Sequence, residues 1–126
     1  MIDLEHLFRM LVAQPPISAN EIDSSGLPFL EGVYVIRVFD KPYYVGRTKN
    51  LLRRLPEHLD GPPQSARLKK YLVDSGECAN FEAAKDFLWE HASFQWLEVE
   101  ELRPRYFLEC YATAILQPKY GVSEEH

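Results

Sequence analysis

The sequence predicts an α+β domain in which a few short strands are set among several helices. Three observations point there. β-Branched and aromatic residues concentrate at 33–39, 43–45 and 94–99. Apolar residues recur at helical spacing in five other stretches. Gly, Pro, Asn and Asp fall between the two kinds of pattern, where turns and caps need them. A chain of 126 residues has the size of one domain, and 46% hydrophobic with 26% charged residues is ordinary for a globular one. No apolar run approaches the roughly 18 residues that a membrane span needs.

In chain order, Leu4, Leu7, Phe8 and Leu11 place an amphipathic helix over residues 2–12. It is expected to dock on the core or to serve self-association or a protein partner. Residues 15–28 are rich in breakers and read as an extended connection. The expected organisation is therefore helix and connection over 1–29, the body over 30–122 and a tail at 123–126. Asp40-Lys41-Pro42 turns the first two strands into a hairpin. Pro42 has no N–H for a ladder, so a three-residue loop is expected, and that register puts Tyr34 and Tyr44 on one face.

Asn50 caps a helix carrying Leu51, Leu52, Leu55 and Leu59, with Arg54 and His58 one turn apart beside that stripe. Pro56 lies beyond the first turn and is expected to kink the helix or end it early. After the break at Gly61-Pro62-Pro63, Leu68, Tyr71 and Leu72 mark a further helix, and Asn80 caps another bearing Phe81, Ala84, Phe87 and Leu88. Residues 94–99 alternate as a third strand. Pro104 then opens a last helix from about Arg105 to Gln117, which Pro118 stops.

The net charge of −5 argues against a nucleic-acid partner until it is followed along the chain. Residues 41–70 hold eight basic against two acidic groups, a net +6 that leaves −11 for the remainder. Such a window is either a phosphate-binding footprint or a set of solvated helix faces. Two cysteines, Cys78 and Cys110, make no disulfide framework, and the first residues lack the basic-then-apolar order of a secretion signal. An intracellular, cytoplasmic location is expected.

Glu109 is the only charged residue between Arg105 and Lys119. A carboxylate there either faces solvent or is paired or metal-bound, since burying it alone is costly. Ala112 and Thr113, three and four residues on, leave room for something to approach it. Tyr34, Tyr44, Arg53 and Arg54 taken singly are ordinary strand and helix-surface residues.

Taken together and in order, they resemble the GIY-YIG nuclease family. Gly32-Val33-Tyr34 is similar to the first motif and Tyr44-Val45-Gly46 to the second, each with Val for Ile. "RTKNLLRRLPEH" resembles the strand-to-helix segment that follows, placing the family's arginine at Arg54 and its histidine at His58. Leu108-Glu109, then Pro118-Lys119-Tyr120, resemble the metal-binding glutamate and the closing motif. The likeness spans roughly residues 31–121. It implies a small three-stranded antiparallel sheet flanked by helices and divalent-metal-dependent hydrolysis of phosphodiester bonds, with DNA the expected substrate.

In the implied scheme Glu109 holds Mg²⁺ or Mn²⁺, Arg54 offsets phosphoryl charge, and Tyr34 or His58 activates the water. Tyr44 positions Tyr34 or a phosphate. Arg47, Lys49, Arg53, Arg67, Lys69 and Lys70 are the expected contacts to nucleic acid, and backbone phosphates carry no sequence information. Tyr34 would need cationic neighbours such as Arg47 or Arg53 to act as a base. The chain departs from the family's habit at three places. Arg47 stands where some members have lysine, Gly121 where many have asparagine, and Pro56 interrupts the arginine helix. The alternative reading is a non-catalytic nucleic-acid-binding module working in a larger assembly.

Overall fold

The computed structural model describes residues 1–24, 26–62 and 64–122; Ser25, Pro63 and the expected tail at 123–126 lie outside the described residues. Along them run α1 (Leu4–Ala13), β1 (Ile17–Ser18), a 3₁₀ turn (Ala19–Ser24), β2 (Gly32–Val38), β3 (Lys41–Thr48), α2 (Leu51–Asp60), α3 (Arg67–Asp74), α4 (Phe81–His91), β4 (Ala92–Glu98) and α5 (Leu102–Leu116). The sheet is antiparallel with the order β1-β4-β2-β3. It has four strands among the described residues where three were expected. The added strand is only Ile17-Ser18 on the edge of β4, two residues beside a proline pair, too short to show a period.

Alternation along β2 divides the core. Tyr34, Ile36 and Val38 pack with Leu51, Leu55, Leu68 and Leu88 from α2, α3 and α4. Val33 and Val35 pack on the other face with Leu11 of α1 and Leu108 and Ala112 of α5. The sheet is thus buried on both sides, which suits the nearly unbroken apolar run of β2. Each fully buried Leu or Ile contributes about 1.5–3 kcal/mol over leaving it exposed. The 1–29 segment joins this packing: Ala19 and Ile22 are buried in the first cluster, and Leu4, Leu7 and Phe8 pack against the second. The apolar stripe of α1 is therefore covered by the chain's own α5 and β4.

The hairpin corrects the expected loop. Val38 pairs with Lys41, so the turn is the two residues Phe39 and Asp40, both at positive φ (51° and 64°). That is the mirror-image turn whose twist matches the strands. A bulge follows: Arg37 pairs with Pro42, but Ile36 pairs with Tyr44, so Tyr43 is the extra residue. The bulge shifts the register by one, Tyr34 pairs with Gly46, and Tyr34 and Tyr44 share a face after all. Pro42 is tolerated because β3 is an edge strand. The carbonyls of Pro42 and Tyr43 accept from the N–H groups of Lys119 and Tyr120, which cover that end of the edge.

Of the two outcomes expected at Pro56, a kink or an early end, the early end does not occur: helix α2 runs through Pro56 to Asp60. Its first turn is well anchored. The N–H groups of Leu51 and Leu52 donate to the carbonyls of Leu30 and Pro28, and the Asn50 side chain accepts from Arg53 N–H. The last helix starts at Leu102, with Pro104 inside its first turn, and ends at Gln117 in a left-handed conformation (φ 48°).

Candidate active site

β3 is the open edge of the sheet. Beyond the end covered by Lys119 and Tyr120, α5 approaches it from one face and α2 and α3 from the other. A cavity of about 330 Å³ lies there, lined by Tyr34, Tyr44, Gly46, Arg47, Arg54, Arg67 and Glu109. Residues from two strands and three helices converge on it, and every one but Gly46 was among the candidates of the sequence.

Tyr34 forms the floor at 1% exposure, directly over Gly46 on the neighbouring strand. A Cβ at position 46 would stand 2.5 Å from the Tyr34 hydroxyl, so only glycine admits the ring. The Tyr34 hydroxyl is 2.8 Å from His58 Nε2, and its ring stacks beside that of Tyr44 (centroids 6.3 Å apart, planes 22°). Burial raises the Tyr34 pKa well above the usual tyrosine value, Tyr44 adds to the rise, and the charge and hydrogen bonding of Arg54 only partly oppose it. These surroundings favour the neutral phenol at Tyr34, with Arg54 the cationic neighbour that opposes the rise. Burial likewise raises the Tyr44 pKa against the pull of Arg54 and Arg67.

His58 does not face the cavity. It is wholly buried, edge-on to both tyrosines (centroids 5.5 and 5.0 Å), and its Nδ1 has no hydrogen-bond partner. Burial holds its pKa well below the usual 6.5, and the charges of Arg54, Arg67 and Lys69 push the same way. The neutral form is favoured, and the imidazole stands behind Tyr34, outside the cavity lining.

Arg54 is fixed by its own helix and by the loop after it. Its Nη1 donates to Glu57 Oε1 and to the Ser65 carbonyl, both at 2.6 Å. The Glu57 contact was legible as an i,i+3 pair but was not singled out from the sequence. Glu109, 22% exposed, accepts from Arg47 Nη1 at 2.7 Å. Arg47 in turn lies over the Tyr106 ring, 4.9 Å from its centre. Glu109 is thus neither a plain solvent-face residue nor buried alone.

The other basic residues separate. Arg67 lines the cavity and has no carboxylate partner among the described residues. Lys49 and Arg53 are exposed and stand outside its lining. Lys70 is exposed and paired with Asp74 at 2.8 Å. Lys69 is a correction: it is 5% exposed, and its Nζ donates to the carbonyls of Leu59 (2.7 Å) and Gly61 (3.1 Å). It satisfies the C-terminal end of α2 and is not available to a phosphate.

Gly121 has its own physical reason. It sits at φ 88°, and a Cβ there would be 2.8 Å from Tyr44 Cε2. The Tyr44 ring fills the space that an asparagine side chain would need.

The donor set bears on a metal. Among the described residues no cluster of three or more His, Cys, Asp or Glu side chains could form a full protein cage. A single carboxylate opening on a polar cavity suits Mg²⁺, which binds through one or two carboxylates, keeps several waters and takes substrate phosphate oxygens.

A tyrosine pair, three arginines and one carboxylate line one cavity at the edge of a small antiparallel sheet, an arrangement able to receive an anionic group. A model of the GIY-YIG catalytic domain matches residues 30–101, more than half of the sequence, and the chain belongs to that family. The match ends before α5, so Glu109 and Tyr120 lie beyond it. Among solved structures, the chain is similar to the GIY-YIG N-terminal endonuclease domain of UvrC from Thermotoga maritima bound to its catalytic magnesium. The likeness has 23% identity and a TM-score of 0.56, over 81% of this chain and 97% of that one. An asparagine-to-alanine variant of the same domain, also bound to its divalent cation, matches at 23% and 0.56 over 82% and 97%. Comparison with curated protein sequences gives no match. No helix among the described residues is long and apolar enough to cross a membrane.

Proposed function

We propose that this chain is a divalent-metal-dependent endonuclease that hydrolyses phosphodiester bonds in DNA. The observation that carries the reading is the convergence of Tyr34, Arg54, Arg67 and Glu109 on one cavity from four different elements. Arg54 and Arg67 receive the scissile phosphate and offset charge growing on its oxygens in the transition state. Arg54 enters already oriented by Glu57 and Ser65, so little reorganisation remains.

Tyr34 orients the attacking water. With the His58 tautomer that carries its proton on Nδ1, Nε2 accepts from the Tyr34 hydroxyl, and the phenol oxygen's lone pairs are left toward the cavity. His58 is thereby a positioning residue for Tyr34. Tyr44 packs against Tyr34 and presents its hydroxyl to the same phosphate. Glu109 would hold Mg²⁺ or Mn²⁺, which supplies Lewis-acid stabilisation of the leaving oxygen when bound. Arg47, Lys49, Arg53 and Lys70 hold flanking backbone phosphates, a contribution that weakens as salt rises.

The test is incubation of the pure protein with supercoiled plasmid and Mg²⁺ or Mn²⁺ beside a Glu109→Ala variant. Nicking by the wild type alone is expected. Equal nicking by both removes Glu109 from the reaction; salt-dependent DNA binding with no nicking by either overturns the enzyme in favour of a binding module.

A further inference from the structure

A second cavity, of about 590 Å³, opens beside the first and shares Arg67 with it. Arg67, Lys70, Tyr71 and Asp74 line it from α3 at positions i, i+3, i+4 and i+7, which is one helix face. Tyr120 closes the other side, its ring stacked on Tyr71 (centroids 5.9 Å, planes 12°). Tyr120 is held firmly there. Its hydroxyl bonds Ser75 at 2.9 Å and donates to Glu77 at 2.6 Å, and Glu77 also accepts from Lys119 and Tyr43. An aromatic wall, Arg67, the Lys70–Asp74 ion pair and two neutral polar groups, Gln64 and Ser75, thus surround a space within the usual range for a small organic group.

The scheme above uses only Arg67 and Lys70 of this second cavity, each for a phosphate, and leaves its aromatic wall without a role. Along α3, Arg67 and Lys70 are separated by about 4.5 Å of helix rise, so a strand leaving the first cavity passes Arg67 and then meets Lys70 and Tyr71. The geometry points to the second cavity as the seat of one unpaired nucleobase, that of the nucleotide next to the cleaved phosphate. The base stacks on the Tyr71 and Tyr120 wall, and its phosphate lies between Arg67 and Lys70. Duplex DNA keeps that base inside its stack, so the preferred substrate has an unpaired or splayed base beside the cut. This deepens the nuclease reading and rests on it.

The test compares binding of the wild type, in EDTA so that no cleavage competes, to a labelled single-stranded oligonucleotide and to the same strand with its central bases replaced by abasic sites. Loss of the bases is expected to weaken binding about 5- to 100-fold. Tyr71→Ala should erase that difference and Tyr71→Phe should keep it, with circular dichroism checking that both variants fold. The wild-type comparison decides even if a variant does not fold. Equal affinity for the two strands, or discrimination unchanged in a folded Tyr71→Ala protein, overturns the inference. A wild type that nicks plasmid yet ignores base removal overturns this site alone. One that discriminates but never nicks overturns the nuclease reading alone.

Discussion

His58 turns the interior of this site into a measurable dependence of stability on pH. The folded protein keeps the imidazole neutral, because burial and the charges of Arg54, Arg67 and Lys69 all oppose a proton. Tyr34 and Tyr44, the rings packed against it, are neutral and offer no counter-charge. The unfolded chain binds that proton near the ordinary value of 6.5. At acid pH the unfolded state therefore holds more protons, and stability falls as pH falls through about 6.5. With the folded imidazole neutral throughout, the linkage relation sets the limiting loss at about 1.4 kcal/mol between pH 7.5 and 5.5, and about 2 kcal/mol by pH 5.0. Glu77, whose folded pKa is lowered, adds its own loss only nearer its ordinary value of 4.5, below that window. Urea unfolding should show the midpoint dropping by about 0.5–1 M between pH 7.5 and 5.5. His58→Gln, which does not titrate and can still pair with Tyr34, should be less stable overall but flat across the window. A variant as steep as the wild type, or a wild type that is flat, refutes the assignment of a neutral buried histidine.

Three further outcomes follow from the same geometry. Tyr34→Phe keeps the packing over Gly46 but removes the hydroxyl, so plasmid nicking should fall by about 100-fold or more while thermal stability drops by only about 1–2 kcal/mol. Gly121→Asn, the residue many relatives carry, should not strengthen the site but destabilise it by about 1–3 kcal/mol, because its Cβ meets the Tyr44 ring; a calorimetric melting temperature at or above wild type contradicts this. Asp40→Gly relieves a positive φ in the hairpin turn and should stabilise by about 0.5–1 kcal/mol, read as a higher urea midpoint with unchanged slope.

The elements that carry the candidate residues are legible from local rules, but only the resemblance to the GIY-YIG family groups those residues as one site. The strand signals and the Asn50 cap place Tyr34, Tyr44 and Arg54 with no knowledge of the tertiary structure, and Glu109 stands out as a lone charge in an apolar helix. What was not legible depends on how elements meet. Lys69 and Lys70 are adjacent, and only the approach of α3 to the end of α2 buries one and leaves the other in water. The burial of His58 depends on two tyrosines from the sheet closing over it. β1 exists only because the edge of β4 is there to pair with it. The expected three-residue loop rests on barring Pro42 from the ladder, whereas an edge strand tolerates it and the bulge at Tyr43 supplies the missing step. Pro56 failed as a stop signal because the core contacts of Leu55 and Leu59 outweigh one lost hydrogen bond.

The bulge at Tyr43 makes the hairpin a parity device. One extra residue, added to an even turn, decides whether the two tyrosines face the arginine helix together or point to opposite sides of the sheet. Length changes between Val38 and Tyr44 are therefore tolerable in pairs and ruinous singly, however well the altered turn folds. A homologue with a three-residue turn and no bulge would preserve the site, and one with both would invert it. Anyone grafting a new loop onto this hairpin is choosing, by odd or even count, between two tyrosines on one face and a pair split across the sheet.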